Sequence, residues 1–392
     1  MLAAPFQRLD RYLTDHCLYW QFSPFAVNDY PWRQQNPALA QWLDELPDEQ
    51  LASWQINAEQ ALPACKRFLP ELMAADALYP LQKHQQSLPA PFWLQSGIKG
   101  RKWQQISAFA ALFNRRPGPI LEWCAGKGHL GRLLAWQFAQ PVISVEWQAE
   151  LCQQGQQVAR QQHVNQRFVC ADVLKDKLDE YVQADQQLVA LHACGQLHIK
   201  MLQEAVKNRV QAVYLCPCCY QLITQETYHP LSQAGQYTQL QLSRADLRLA
   251  VQETVTAPHR DRHKRLQERL YRQMFDIWQR QHLGQDNYLP VPSAPDYLFR
   301  QPPQAFLQWA AQQKGLVFVP SVDLSGLEVT ARQRLKLLER MELVQHLFRR
   351  ALELWLVLDR SLYLEEHGYH VQILEFCTRQ ITPRNLVIVA QT

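Results

Sequence analysis

No uninterrupted apolar stretch among the 392 residues approaches the roughly 20 that a membrane-spanning helix requires, so no membrane span is expected. The opening residues, MLAAPFQRLDRYLTDHC, carry charges where a secretory leader needs an apolar run, and the expected location is the cytoplasm. Strong charge is also missing. Only 19% of residues are charged and the net charge is +4, which permits an anionic partner such as RNA but falls short of a polyelectrolyte binder. The ten cysteines are scattered through apparent strands and helices, unlike a small secreted disulfide framework, so reduced thiols are expected. What is present in quantity is apolar: a hydrophobic share of 47% describes an ordered globular chain, long enough for about two to three domains.

The most informative stretch is ILEWCAGKGHLG, residues 120–131, an apolar run that ends in an acid and enters a glycine loop. Gly126, Gly128 and Gly131 spell G-x-G-x-x-G, and Glu146 closes the next apolar run, VISVEW, where a ribose-binding acid belongs. Taken alone, this pattern would suit NAD. Glu122, however, stands just before the glycines, where a dinucleotide site would bring a pyrophosphate close, and two anions there would repel. S-adenosylmethionine has the opposite need, because its methionine end carries an ammonium and a sulfonium. Cys124, Ala125, Gly126 and Gly128 would then form the loop under the cofactor, with Glu146 and its neighbour Trp147 at the ribose.

Residues 1–95 read as a helical N-terminal region with Trp20, Trp32, Trp42 and Trp54 as packing residues. From about residue 97 the pattern becomes apolar runs alternating with helix-like segments: ILEWC, VISVEW, RFVCADVL, QLVALHACG and AVYLCPCCY. Five such runs imply an α/β fold with a parallel sheet and a ligand at the strands' carboxyl ends. HVQILEF and PRNLVIVA near the end suit an antiparallel pair. Residues 222–339 are too long for a loop and should form a mainly helical insertion. Its stretch at 259–282 predicts a helix carrying Arg260, Lys264, Arg265, Arg269, Arg272 and Arg280, with Leu266, Leu270 and Phe275 as buried anchors. That helix face is either an RNA-facing surface or an ordinary solvated one, since Asp261, Glu268 and Asp276 dilute its charge.

GIKGRKWQQI at 97–106, CAGKGHLGRLLA at 124–135, LHACG at 191–195, CPCCY at 216–220, LDRSLYLEEHGY at 358–369 and TPRNLVIVA at 382–390 together resemble a family of methyltransferase-like proteins. It includes the ribosomal RNA adenine dimethylase domain-containing and glutathione transferase C-terminal domain-containing proteins, and more distantly the chain is similar to the tRNA acceptor-stem 2'-O-methyltransferases. The resemblance covers residues 96–221 and 340–392. It implies a class I, Rossmann-like methyltransferase domain with a seven-stranded sheet over those residues, and S-adenosylmethionine as cofactor. Asp172 and Val173, ending the third run, fall where class I methyltransferases often contact adenine. Two departures stand out: Cys124 replaces the loop's frequent first glycine, and His198-Ile199 replaces a frequent Thr-Asp after the H-x-C-G pattern.

Adjacent strand tips should bring His192, Cys194, Cys216, Cys218, Cys219 and Tyr220 together beside the methyl group. A histidine or tyrosine would accept the proton that becomes acidic as a neutral nucleophile is alkylated. A cysteine thiolate would add to a pyrimidine ring. The thiols and His192 could hold zinc, but C-x-C-C lacks the common C-x-x-C spacing, so no metal is assigned. Cysteine is also a small apolar residue that packs well, in which case positioning alone would drive transfer. No N-P-P-Y follows the fourth strand, which argues against a standard adenine N6 enzyme. Lys99, Arg101 and Lys102 precede the first strand and suit the phosphates of an RNA substrate. The leading expectation is an S-adenosylmethionine-dependent methyltransferase acting on tRNA or rRNA. A protein methyltransferase, a cofactor-binding scaffold without catalysis and an NAD-dependent oxidoreductase are the alternatives. The sequence carries no signal for oligomeric state.

Overall fold

A computed structural model describes residues 2–178, 180–252, 259–318 and 323–392. Eight strands form one sheet: β1 (Gln82–Lys83), β2 (Ile120–Trp123), β3 (Val142–Glu146), β4 (Gln166–Cys170), β5 (Gln187–Cys194), β6 (Ala212–Cys218), β7 (His370–Glu375) and β8 (Leu386–Gln391). Their order is β1-β7-β8-β6-β5-β2-β3-β4. All five apolar runs become parallel strands, and β8 lies antiparallel between β6 and β7. Strands β2, β3 and β6 are buried along their whole length, which is why they read as continuous apolar runs rather than alternating ones. The sheet has one strand more than the seven expected. The extra strand is two exposed polar residues pairing in parallel with Leu374 and Glu375, too short and too polar to leave a periodic signal.

The chain forms two compact units. The first combines Met1–Asp15, Met73–Val255 and Arg349–Thr392, and the second combines His16–Leu72 and Thr256–Phe348. This division differs from the boundaries read from composition. The first fifteen residues and those from 73 onward go with the sheet, while the rest of the N-terminal region shares a unit with most of the insertion.

In the first unit, Ile106 and Phe109 of the helix Gly100–Ala110 and Leu130, Leu133 and Leu134 of the helix His129–Phe138 join strand residues Ile120, Val189, Tyr214 and Val387 in one core. In the second, Leu270, Met274, Phe275 and Trp278 of the helix His259–Leu283 pack with Phe306, Leu307 and Leu327. Arg340 donates to the carbonyls of Leu43 and Leu46 at 2.6 and 2.9 Å, and Gln345 to those of Trp20 and Phe22 at 2.7 and 2.9 Å, tying the two segments of this unit together. Trp20 and Trp32 are core residues here, and Trp42 stacks obliquely on Trp54 at 6.1 Å. Leu266, expected as a buried anchor, is instead 53% exposed, because it lies one turn before Leu270, where the apolar cluster begins.

Candidate functional site

Along the chain β2, β3 and β4 step in one direction across the sheet, and β5 then pairs with the other side of β2. The order therefore reverses between β2 and β5, and the crevice at the carboxyl ends of those two strands is where open α/β sheets receive ligands. The glycine loop leaves β2 and the LHACG segment ends β5, so both sequence signatures border that crevice.

The three glycines of the loop do different work. At Gly126, with φ +57, a side chain would meet nothing within 4 Å, so of the three this residue alone borders open space. A Cβ at Gly131 would lie 2.4 Å from Glu122 Oε2, and one at Gly128 would lie 2.4 Å from Phe168, so these two are glycines because the protein packs against them. Cys124 also adopts a positive φ, 55°, where glycine would be easier, and Ala125 donates its N–H to the Val145 carbonyl at 3.0 Å. The Cys124 thiol is pushed up to about 12 by burial, with Glu146, Cys194 and Glu122 adding negative potential.

Glu146 is almost fully buried and its orientation is fixed by two backbone donors, Gly126 N–H at 2.9 Å and Gln148 N–H at 3.1 Å, one on each oxygen. Each oxygen retains a lone pair, so the carboxylate can accept two further hydrogen bonds without rearranging. Trp147 beside it is 68% exposed. Asp172 caps the turn after β4, accepting from Leu174 N–H at 3.0 Å and pairing with Lys175 at 3.2 Å. Those contacts, the Leu174 hydrogen bond foremost, hold its carboxyl below the usual range. Val173 is buried.

Glu122 lies beneath the loop. It accepts from Ser144 Oγ at 2.6 Å, and Gln166 Nε2 lies 3.5 Å away and 2.7 Å from Ser144 Oγ. Burial raises its pKa to about 7, against the opposing pull of Ser144, the Gly131 N–H, Arg132 and Lys102. Ser144 and Gln166 escaped the sequence reading because neither belongs to a known loop pattern.

On the other side of the crevice, β5 bulges. Leu191 pairs with Cys216 and Ala193 with Pro217, leaving His192 as the extra residue, at φ 70°. Its Nε2 faces Gln105 Oε1 at 3.1 Å, and Gln105 in turn donates through Nε2 to the Ile381 carbonyl. That assignment puts the ring proton on Nε2 and leaves Nδ1 as the acceptor of the Cys216 thiol at 3.5 Å. The imidazole pKa falls to about 4, chiefly through burial and then through Lys102 and Arg384, so the ring is neutral at pH 7. Gln105 sits within GIKGRKWQQI, but nothing in that segment marked it as the histidine's partner.

Cys194, Cys218 and Cys219 form a separate cluster, their sulfurs all within 4.8 Å of one another and the Cys194–Cys218 pair at 3.4 Å. Cys219 has a positive φ of 46°. Thiol donors at Cys194 and Cys218, helped by Arg384, favour its thiolate form. Tyr220 is fully buried, with Arg360 over its ring at 5.0 Å and His198 edge-on at 5.8 Å, and its hydroxyl has no hydrogen-bond partner among the described residues. Burial raises its pKa well above the usual phenol value.

The LDR of the LDRSLYLEEHGY signature proves to be a buried tie. Asp359 accepts from Tyr228 Oη at 2.6 Å, Leu231 N–H at 2.9 Å, and the N–H and hydroxyl of Ser232 at 3.0 and 2.7 Å. Arg360 donates to His198 Nε2 at 2.8 Å, and His198 Nδ1 bonds the Ala193 carbonyl at 3.0 Å, so the C-terminal helix Arg349–Glu366 braces the tip of β5.

Lys99 caps the helix Gly100–Ala110 and is exposed, as is Arg101. Lys102 is solvent-accessible, yet desolvation by the surrounding protein lowers its pKa, against the attraction of Cys216, Glu122 and Cys218. The insertion helix is different. Lys264 pairs with Asp296 at 2.5 Å, Arg269 with Glu342 at 2.9 Å, Arg272 with Glu268 at 2.8 Å and Arg280 with Asp276 at 2.9 Å, while Arg265 is exposed and the Arg260 side chain lies outside the described residues. No helix among the described residues is long and apolar enough to cross a membrane.

Among solved structures, the chain is similar to the 23S rRNA methyltransferase ErmE at 20% identity, over 28% of this chain and 44% of that one, with a TM-score of 0.25. It is similar to a TehB-like S-adenosylmethionine-dependent methyltransferase from Corynebacterium glutamicum at 15% identity, over 28% and 61%, with a TM-score of 0.23. A third is the plantazolicin methyltransferase BpumL in complex with S-adenosylhomocysteine, at 16% identity, over 46% and 58%, with a TM-score of 0.22. The chain thus spans less than two thirds of each of these proteins. Residues 101–226, which contain the glycine loop, Glu146, the β5 bulge and the cysteine cluster, match the family model described as a methyltransferase domain, and the chain carries an S-adenosylmethionine-dependent methyltransferase domain.

Proposed function

We propose that the chain is an RNA methyltransferase of the kind its LHACG and CPCCY signatures resemble, acting in the cytoplasm on tRNA or rRNA. The observation that carries this reading is Lys102, an exposed cation whose charge acts on Glu122, Cys216 and Cys218 at the ends of β2 and β6. Arg384 adds a second positive charge acting on His192 and Cys219, and Lys99 and Arg101 are exposed neighbours of Lys102 along the chain. Cations at the crevice suit a phosphate-bearing substrate. The paired arginines of the insertion helix add nothing to this argument.

The crevice suggests a simple chemistry. Glu146 would hold the ribose and the open face at Gly126 would let the cofactor approach the backbone, and the bound cofactor would supply an electrophilic methyl group. In-line transfer from a sulfonium needs mainly proximity and exclusion of water. When a neutral hydroxyl or amine is alkylated, its proton must leave, and His192 Nδ1 is the neutral acceptor at hand, giving up its weak contact with the Cys216 thiol.

Incubating the protein with total RNA, total protein and methyl-labelled cofactor tests the proposal. Label should enter nuclease-sensitive material, and RNA binding should weaken with salt along a slope that Lys102→Ala makes shallower by roughly 0.7–0.9. Label found only in protease-sensitive material would establish a protein methyltransferase instead. Cofactor binding with no transfer to either pool would establish a scaffold.

A further inference from the structure

We propose that Cys194, Cys218 and Cys219 bind one zinc ion, with its fourth coordination position left to a ligand from outside the protein. The sequence spacing hid this site, because its ligands come from two strand ends rather than from a C-x-x-C turn. In β5 and β6, Cys194 and Cys218 are direct partners across the parallel pair, and the chain turns at Cys219, whose positive φ carries the next residue into the same group. All three sulfurs lie within 4.8 Å of one another. Tetrahedral zinc with bonds of about 2.3 Å needs sulfurs about 3.8 Å apart, so closing the group onto a metal requires shifts of about 1 Å or less.

The donor set narrows the choice of ion and the type of site. Three thiolates select a soft or borderline cation, and calcium or magnesium would refuse them. Among the described residues no fourth Cys, His, Asp or Glu joins the group. His192 is not the missing ligand, since its two nitrogens face Gln105 and Cys216. Three protein ligands with one open position is the arrangement of reactive zinc centres rather than of closed structural ones. Charge is consistent with this. Three thiolates and one Zn²⁺ leave a net charge of −1, and Arg384 and Lys102 supply positive potential at Cys219 and Cys218. A disulfide between Cys194 and Cys218 would use two of the thiols and leave Cys219 unexplained.

The site is independent of which polymer receives the methyl group. Protein purified without chelator should contain one zinc per chain by elemental analysis. Stripping it under reducing conditions and titrating zinc against a chromophoric competitor should restore one equivalent, and cobalt in its place should give thiolate-to-metal charge-transfer absorption in the near ultraviolet. Cys219→Ser, at a half-buried position, and Cys218→Ser should each weaken zinc by more than about a hundredfold, since losing even an outer-shell partner costs 10–100-fold. Cys17→Ser, at an exposed position in the other unit, should bind as the native chain does. Binding of S-adenosylhomocysteine, measured on the same samples, reports that each variant is folded and keeps a failure of this site distinct from a failure of the methyltransferase reading. The proposal is overturned if the native chain takes up no stoichiometric zinc, if the serine variants bind it undiminished, or if metal-free protein carries a Cys194–Cys218 disulfide and takes up no zinc on reduction.

Discussion

A carboxyl group held near neutrality under the glycine loop is a stability element as well as part of the site. Glu122 has a folded pKa of about 7, against about 4.5 for an ordinary glutamate, because burial outweighs its hydrogen bonds. The folded form therefore keeps its proton where the unfolded chain has lost it. Its contribution to stability is complete below about pH 4.5 and falls away as pH rises to about 7, by up to about 3 kcal/mol. Glu122→Gln, which keeps an oxygen for Ser144 and cannot ionise, should gain stability relative to the native chain across that window. Urea unfolding at several pH values checks it, and parallel pH profiles would refute it. His192 gives a second test: with its pKa near 4, turnover should be level from about pH 6 upward instead of rising through 6.5. His192→Ala should lower kcat by about 10²–10⁴ if the ring takes the proton, and leave it nearly unchanged if positioning suffices. At this scale the sequence disclosed the glycines and acids but not their division of labour. Gly126 and Gly131 look alike in a pattern, and only the carboxylate lying 2.4 Å from where a Cβ would stand at Gly131 separates them.

Among the elements, the β5 bulge opposite Pro217 shows how a strand can set the direction of one side chain. Pro217 has no N–H to give to the ladder, and the irregularity in β5 falls between the residues that pair with Cys216 and with it. The extra residue, His192, is held at positive φ, a conformation that costs about 1–3 kcal/mol for a non-glycine residue and is easiest for Asn, Asp and His. His192→Asn should thus retain the fold, while β-branched His192→Val should lower stability by at least about 1 kcal/mol more, measured by the denaturation midpoint. Equal midpoints would mean that the bulge relaxes freely. Strands β2, β3 and β6 were legible because burial along their whole length makes them continuous apolar runs. The bulge was not, because LVALHACG has the same composition with or without it. The insertion helix was legible as a helix and illegible as a surface. Arg272 and Arg280 pair four residues back with Glu268 and Asp276, but Arg269 finds Glu342 and Arg280 also finds Asp286 at spacings no helical pattern covers, as Gln105 finds His192.

For the whole molecule, the boundaries were the least legible feature, since compactness depends on contacts such as Arg340 to Leu43 that join distant segments. Composition separates a helical start from an α/β middle, but it cannot tell that Met1–Asp15 belongs with the sheet while His16–Leu72 belongs with the insertion. Two compact units allow a ligand to act on one of them, and every residue proposed to hold the cofactor lies in the unit that holds the sheet. At a hundred times its dissociation constant, S-adenosylhomocysteine should stabilise that unit by about 2.7 kcal/mol. Glu146→Ala should remove charge-assisted bonds worth about 1.5–3 kcal/mol and weaken affinity at least tenfold or so. Hydrogen exchange separates this from a general tightening of the protein. Protection on adding S-adenosylhomocysteine should appear in peptides covering 124–128, 144–148 and 191–195, with peptides from 270–310 unchanged. Protection that spared the glycine loop would place the cofactor elsewhere. Protection spread equally over both units would show that they respond as one body, because a ligand stabilises only what unfolds together with its site.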